Sequence, residues 1–235
     1  MIRTRTVALV LFVALALALV PTSALAQVNL THTVKVLYWS TNGTVTRTGS
    51  GNGTWNSSFY GIDYQGQSSS PWGLRLQFAS GTQGSLGGSI GAFGAGTDSI
   101  YSIDATYLRP GETGFLRGFL GYGSISFSNN SSMFRSSGIR LGGDFTLPVS
   151  PHWSLSGGVA YYPSNATTVS GTIASGSASA TATDYTISLQ YAASNQIVVE
   201  GGYRTVSADS GPVGAGCPCN FGWSGFFLTV GRTFP

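Results

Sequence analysis

Charge is the scarcest commodity in this 235-residue sequence: Asp, Glu, Lys and Arg together make up 8% of it, against about a quarter in an ordinary soluble domain. So little charge excludes a conventional hydrated exterior. Histidine and cysteine are rarer still as single residue types, with two of each. His32 and His152 stand alone in the sequence, and no Cys/His or carboxylate cluster has metal-ligand spacing, so neither a metal nor a cofactor is expected. After residue 26 there is also no long apolar run. The longest, near Phe226 to Val230, stops after a few residues, which excludes a helical membrane protein on length alone.

The one long apolar run comes first. Arg3 and Arg5 precede a continuous stretch from Val7 to Val20, and Ala24-Leu25-Ala26 fits the small-x-small pattern at which a signal peptidase cuts. Residues 1–26 are therefore expected to be a cleaved signal peptide of the Sec type, leaving a mature chain from Gln27. A signal anchor is the alternative, but the run is short against the roughly 20 residues of a bilayer-spanning helix. Loss of Arg3 and Arg5 leaves nine basic residues against eight acidic ones. That balance gives no reason to expect a nucleic-acid partner.

What fills the mature chain is a repeated alternation. In Trp72-Gly73-Leu74-Arg75-Leu76-Gln77-Phe78-Ala79 every second residue is large and apolar and the others are small or polar. Side chains on a strand point to opposite faces with period two, so such a segment has one greasy face and one polar face. Read backwards from the C-terminus, strands are expected near 222 to 234, 196 to 206, 181 to 192, 152 to 163, 137 to 147, 114 to 127, 99 to 109, 84 to 95, 71 to 80 and 54 to 66. Residues 27–53 form an N-terminal segment or a first hairpin, with Val34, Val36 and Tyr38 on one face and Ser40-Thr41-Asn42-Gly43 as its turn. Ten strands, or twelve if that hairpin joins, fit the even counts of bacterial barrels.

Pro110-Gly111-Glu112, Pro148-Val149-Ser150-Pro151 and Ser194-Asn195 read as tight turns. Longer Ser-, Asn- and Gly-rich loops are expected at about 128 to 136, 164 to 180 and 207 to 220, with 170 to 183 a flexible outer loop. Short turns on the periplasmic side and long loops outside give the barrel its orientation. Trp72, Tyr107, Trp153, Tyr161, Tyr185, Tyr191, Tyr203 and Trp223 gather near strand ends and read as two aromatic girdles at lipid–water boundaries; cross-strand pairing in a soluble sheet is the other reading.

Behind an export signal, the alternating segments and a last strand with Phe226, Leu228, Val230 and Phe234 on one face resemble the small outer-membrane β-barrel proteins of bacteria, the broad OmpA/OmpX/OmpW-like group. The resemblance implies an all-β, up-and-down transmembrane barrel over 54–235 in the bacterial outer membrane, surrounded by outer-membrane lipid. It also implies a final strand read by the barrel-assembly machinery. Here Phe234 precedes a terminal Pro235 and Arg232 interrupts the apolar face, so that signal departs from the group's pattern.

With the bulky residues outside, Asp63, Arg75, Gln77, Asp104, Arg140, Asp144, Glu200 and Arg204 point into the lumen among Gly, Ser and Thr. They either form a salt-bridged plug, which the strand number slightly favours, or line a narrow passive pore. Gly87-Gly88-Ser89-Ile90-Gly91 has the G-x-S-x-G spacing but sits in a Gly-rich alternating segment with no His or acid to activate the serine, so no enzyme activity and no catalytic residue is expected. Cys217-Pro218-Cys219, in the loop before the last strand, ranks first as an oxidised loop staple, then as a bridge to another chain, then as half of a metal site. The function read from the sequence is a structural or surface-interacting outer-membrane barrel, with a secreted, soluble two-sheet adhesin or surface-layer component as the alternative.

Overall fold

A computed structural model of the chain describes residues 31–47, 51–84, 87–88, 95–129, 132–171, 176–193, 196–213 and 217–234. The proposed signal peptide, the Ser194-Asn195 turn and Ser89 of the G-x-S-x-G match lie outside these residues. Among these residues, alternation and turn-forming breaks give eleven strands. In order they are β1 (Thr31–Arg47), β2 (Gly51–Gln67), β3 (Trp72–Gln83), the two-residue β4 (Gly87–Gly88), β5 (Gly96–Pro110), β6 (Phe115–Asn129), β7 (Ser132–Pro148), β8 (Trp153–Gly171), β9 (Gly176–Ala192), β10 (Ile197–Val213) and β11 (Cys217–Phe234).

Every long strand runs antiparallel to its neighbours in the chain, and β1 pairs with both β2 and β11. Val36, for example, lies between Ile62 and Val230. Ten long strands thus close into one up-and-down barrel with β4 as an outlying stub on β2. Closure satisfies the backbone hydrogen bonds that an open sheet edge would leave bare, which is what a lipid surround demands. A single closed sheet also rules out the two-sheet sandwich.

Three sequence expectations are corrected here. The segment 31–47 is one uninterrupted strand, not a hairpin: Ser40-Thr41-Asn42-Gly43 is extended and paired, Ser40 with Ser58 and Gly43 with Trp55. The boundary at residue 53 therefore disappears, and twelve strands reduce to ten. In the segment 84 to 95 the described strand is β4 alone, at Gly87–Gly88, so β1 supplies the tenth long strand in its place. Finally, the expected long loops are mostly strand. β6 runs to Asn129 and β7 starts at Ser132, while β8 and β9 reach Gly171 and Gly176, and β10 and β11 reach Val213 and Cys217. A Ser/Thr/Ala-rich composition reads as linker only while no partner strand is available; here cross-strand pairs such as Thr167 with Ala178 fix it.

Gly43 shows how tightly this end is packed. Its ideal Cβ would stand inside the indole of Trp55, its cross-strand partner. Gly43→Ala is expected to lower the temperature of the gel-mobility shift on heating by an amount equivalent to about 1–3 kcal/mol, the usual range for overpacking. An unchanged midpoint would show that the ring can move aside.

Candidate functional site

The barrel changes character along its axis. At the end holding residues 31 and 234, the outward residues are large and exposed, among them Trp72, Leu76, Leu120, Ile139, Ile187 and Leu228. The inward residues at that end are charged. Lys35 donates to Glu200 at 2.7 Å, and Ser188 donates to the other oxygen of the same carboxylate at 2.6 Å. Arg75 holds Asp63 at 2.7 Å and lies 3.8 Å from Asp144, which Arg117 approaches to 3.7 Å. Arg204 grips Asp184 through two hydrogen bonds, of 3.0 and 2.6 Å, and donates to Gln77 at 2.9 Å. Arg140 lies 3.5 Å from Asp104 and over the rings of Phe119 and Tyr162.

All eight residues placed in the lumen from the sequence lie in one charged layer, in three bonded groups: Asp63, Arg75, Gln77, Asp144 and Arg204; Glu200; and Asp104 with Arg140. Lys35, Arg117 and Asp184 complete it, giving five cations and five carboxylates. The three sat on the inward parity of their strands and were legible there. Ionised groups taken out of water need such partners, since an unpaired buried charge costs several kcal/mol. The layer surrounds a polar cavity of about 250 Å³ whose lining runs from the rim residues Thr33 and Thr233 up to Arg140, Ala160 and Arg204.

Above that level the interior is aromatic, a feature the alternation had not suggested. Trp39 stacks on Phe59 at 4.9 Å between centroids and donates its indole N–H to the carbonyl of Gly225 at 3.1 Å; Arg204 lies over its ring. Further along, Trp55 meets Trp223 and Phe127 edge-on, and Phe134 stacks on Phe221 at 4.1 Å. Asp98 is fully buried among them. Its Oδ2 accepts from Ser57 Oγ and from the indole N–H groups of Trp55 (3.4 Å) and Trp223 (3.3 Å). No cation pairs with it among the described residues. None of Trp55, Phe59, Phe134 or Trp223 lines the cavity below; all four are buried inside the barrel above it.

The outer wall inverts at the same height. Tyr38 is followed outward by Ser40, Tyr60 by Ser58, Tyr101 by Ser99, Tyr185 by Thr183 and Phe226 by Ser224. Beyond this step each strand carries Ser, Thr or Asn outward. On β8 ten residues lie past Tyr161, roughly 33 Å of strand at about 3.3 Å per residue. At the other end Trp72 and Trp153 are the first residues of their strands, so the apolar belt there ends flush with the barrel. Along β8, Trp153 and Tyr161 lie about 26 Å apart, which at the usual tilt of about 35–45° spans about 20 Å of height, close to an apolar band about 25 Å tall.

Of the eight proposed girdle residues, Trp72, Tyr107, Trp153 and Tyr191 lie exposed near the flush end and Tyr161, Tyr185 and Tyr203 near the step. Trp223 does not belong with them. It is 1% exposed and faces the interior, because it has the inward parity of Phe221 and Phe227. On β11, Phe226, Leu228 and Val230 are exposed as expected, but Phe234 is buried, with the Arg232 guanidinium 5.1 Å from its ring and buried His32 as its cross-strand partner. His32 is buried, with its Nδ1 2.8 Å from Tyr64 Oη; His152 lies 3.1 Å from the Ala192 carbonyl at a turn. Cys217 and Cys219 fall on β11 rather than in a loop before it, and their side chains lie outside the described residues.

A closed ten-stranded barrel with an apolar belt and a charged lumen defines a transmembrane β-barrel of the outer-membrane type. Among solved structures the fold is similar to the outer membrane protease OmpT of Escherichia coli, with a TM-score of 0.56 and 9% identity over 88% of this chain and 96% of that one. The translocator domain of the autotransporter NalP from Neisseria meningitidis gives 0.46 at 14% identity (87% and 88% covered). Ail, the attachment invasion locus protein of Yersinia pestis, gives 0.35 at 14% identity (87% and 98%). At such identities a likeness carries the fold and nothing of the activity. No family model matches the sequence, and no curated protein does.

Proposed function

We propose that the chain is an integral protein of the bacterial outer membrane, exported behind residues 1–26, with a structural or surface-interacting role and no continuous pore. The observation that carries this reading is the buried aromatic layer of Trp39, Trp55, Phe59 and Trp223 above a lumen already crossed by ion pairs. The flush end, where residues 31 and 234 lie, faces the periplasm; the longer polar end faces outward, as in barrels of this type. Lipid covers the belt between the aromatic girdles. The barrel-assembly machinery reads β11 through Phe226, Leu228 and Val230, with the covered Phe234 a weaker contributor than its position suggests. No catalytic residue is assigned.

The protein should remain with the membrane fraction after carbonate washing and migrate as a compact form in unheated detergent gels that shifts on boiling. In planar bilayers it should be electrically silent over a range of salt concentrations. Steady unitary conductance from the wild type would replace the plugged barrel with a narrow pore, and release by carbonate would remove it from the membrane altogether.

A further inference from the structure

Above the tyrosine step the outer wall presents an unusual surface for a part of the molecule that projects from the hydrocarbon. Its described outward side chains are mostly short hydroxyls and amides, with Met133, Pro163 and Ala166 as apolar exceptions, and the only charges among them are Arg135 and Asp209. A surface exposed to bulk water carries about 25–35% charged residues. A surface facing phosphate-bearing headgroups gathers Lys and Arg, each worth about 1 kcal/mol beside an anionic leaflet. This collar does neither. It is continuous with the lipid-facing belt, it encircles the barrel, and several of its hydroxyls are aligned across strands, as in Ser99 Oγ with Ser126 Oγ and Thr183 Oγ1 with Ser207 Oγ, each pair 2.7 Å apart.

We infer that the collar is an interaction surface for the neutral sugar headgroups of the surrounding outer-leaflet lipid. Hydroxyl and amide side chains both donate and accept, which matches sugar hydroxyls, and the tyrosines at the step offer flat rings at the level where sugar joins glycerol or acyl chain. Partners distributed all around the wall suit a lipid annulus rather than one docked protein. The inference rests on the membrane reading above, and its test separates the two.

The mature chain is refolded into vesicles of phosphatidylcholine alone, or containing about a fifth of either digalactosyldiacylglycerol or phosphatidylglycerol. The midpoint of the heat-induced gel shift is measured in each, and retained lipids are identified by native mass spectrometry. The galactolipid should raise the midpoint by about 3–5 °C and be retained preferentially, while phosphatidylglycerol has no effect. Ser40→Ala, Ser58→Ala, Ser99→Ala and Ser224→Ala combined should abolish the increment and leave the midpoint in phosphatidylcholine unchanged. Ser58→Lys with Ser224→Lys should turn the preference toward phosphatidylglycerol, which keeps the test open if the fourfold variant does not fold. Equal midpoints in the three vesicles, a preference of the wild type for phosphatidylglycerol, or the same increment from soluble galactobiose would each overturn the inference. A wild type released from vesicles by carbonate fails the membrane reading and this one with it; a carbonate-resistant wild type without headgroup preference fails this one alone.

Discussion

Arg204→Met should be among the most damaging single substitutions in the barrel, lowering stability by about 3–5 kcal/mol. Arg204 is 5% exposed, holds both oxygens of Asp184, supplies Gln77 and covers the Trp39 ring. Methionine keeps much of the stem's volume but leaves the Asp184 carboxylate without its cation inside the wall. Much of the loss is therefore a desolvation penalty, and a second substitution should relieve it. Arg204→Met with Asp184→Leu is expected to recover most of the stability, because an apolar pair of similar volume often replaces a buried ion pair with little cost. The midpoints of the heat-induced gel shift for the two single variants and the double complete a thermodynamic cycle. A double variant as unstable as Arg204→Met alone would mean that the pair contributes through something other than its charges.

The other large effect belongs to the aromatic layer. Trp223→Ala or Trp55→Ala should each cost about 3–5 kcal/mol, the range for removing a buried large aromatic. Each also takes one of three donors from Asp98. Since the two indoles touch each other and share that carboxylate, the double variant should lose more than the sum of the single losses, leaving Asp98 with the Ser57 hydroxyl alone. Adding Asp98→Leu should then restore part of the deficit. Circular dichroism during heating in detergent follows all four variants without relying on tryptophan emission. Strict additivity would show that the carboxylate is solvated by some route other than the two indoles.

The belt and the charged lumen were legible because one rule, alternation, governs both. Trp72 through Phe78 looks outward in the structure with the parity read from the sequence, and Arg75 and Gln77 look inward. The aromatic interior escaped because the same rule holds with its sign reversed. On β2 the apolar residues occupy odd positions at Trp55 and Phe59, then even positions at Tyr60, Ile62 and Tyr64. The change leaves a mark, an adjacent pair of large residues: Tyr38-Trp39, Phe59-Tyr60, Tyr161-Tyr162 and Phe226-Phe227. At each pair both faces of the strand are apolar at once, lipid on one side and the plug on the other. A search for such doublets would have found the inversion.

Two further misreadings have separate causes. The tract from 170 to 183 contains the inward, buried Ala180 and Ala182, the second a member of the core cluster that holds Trp55, Phe127, Phe134 and Phe221. Without the partner strands in view, such a tract looks like low complexity. Trp223 was misassigned by proximity to a strand end, whereas its parity with Phe221 and Phe227 already pointed inward. In a barrel whose strands run far past the lipid, being near a terminus says little about the water boundary.

The reversal of polarity at the tyrosines means that no single substitution matrix describes this wall. A leucine tolerated outside at Leu120 would be a sticky blemish at Ser126 three turns of the pleat further on, and a serine harmless at Ser126 would be stranded in oil at Leu120. During biogenesis the distal half, polar but nearly uncharged, must cross before it can fold. Its aromatic centre can consolidate only after β1 and β11 have met, so the last seam to close also seals the cap.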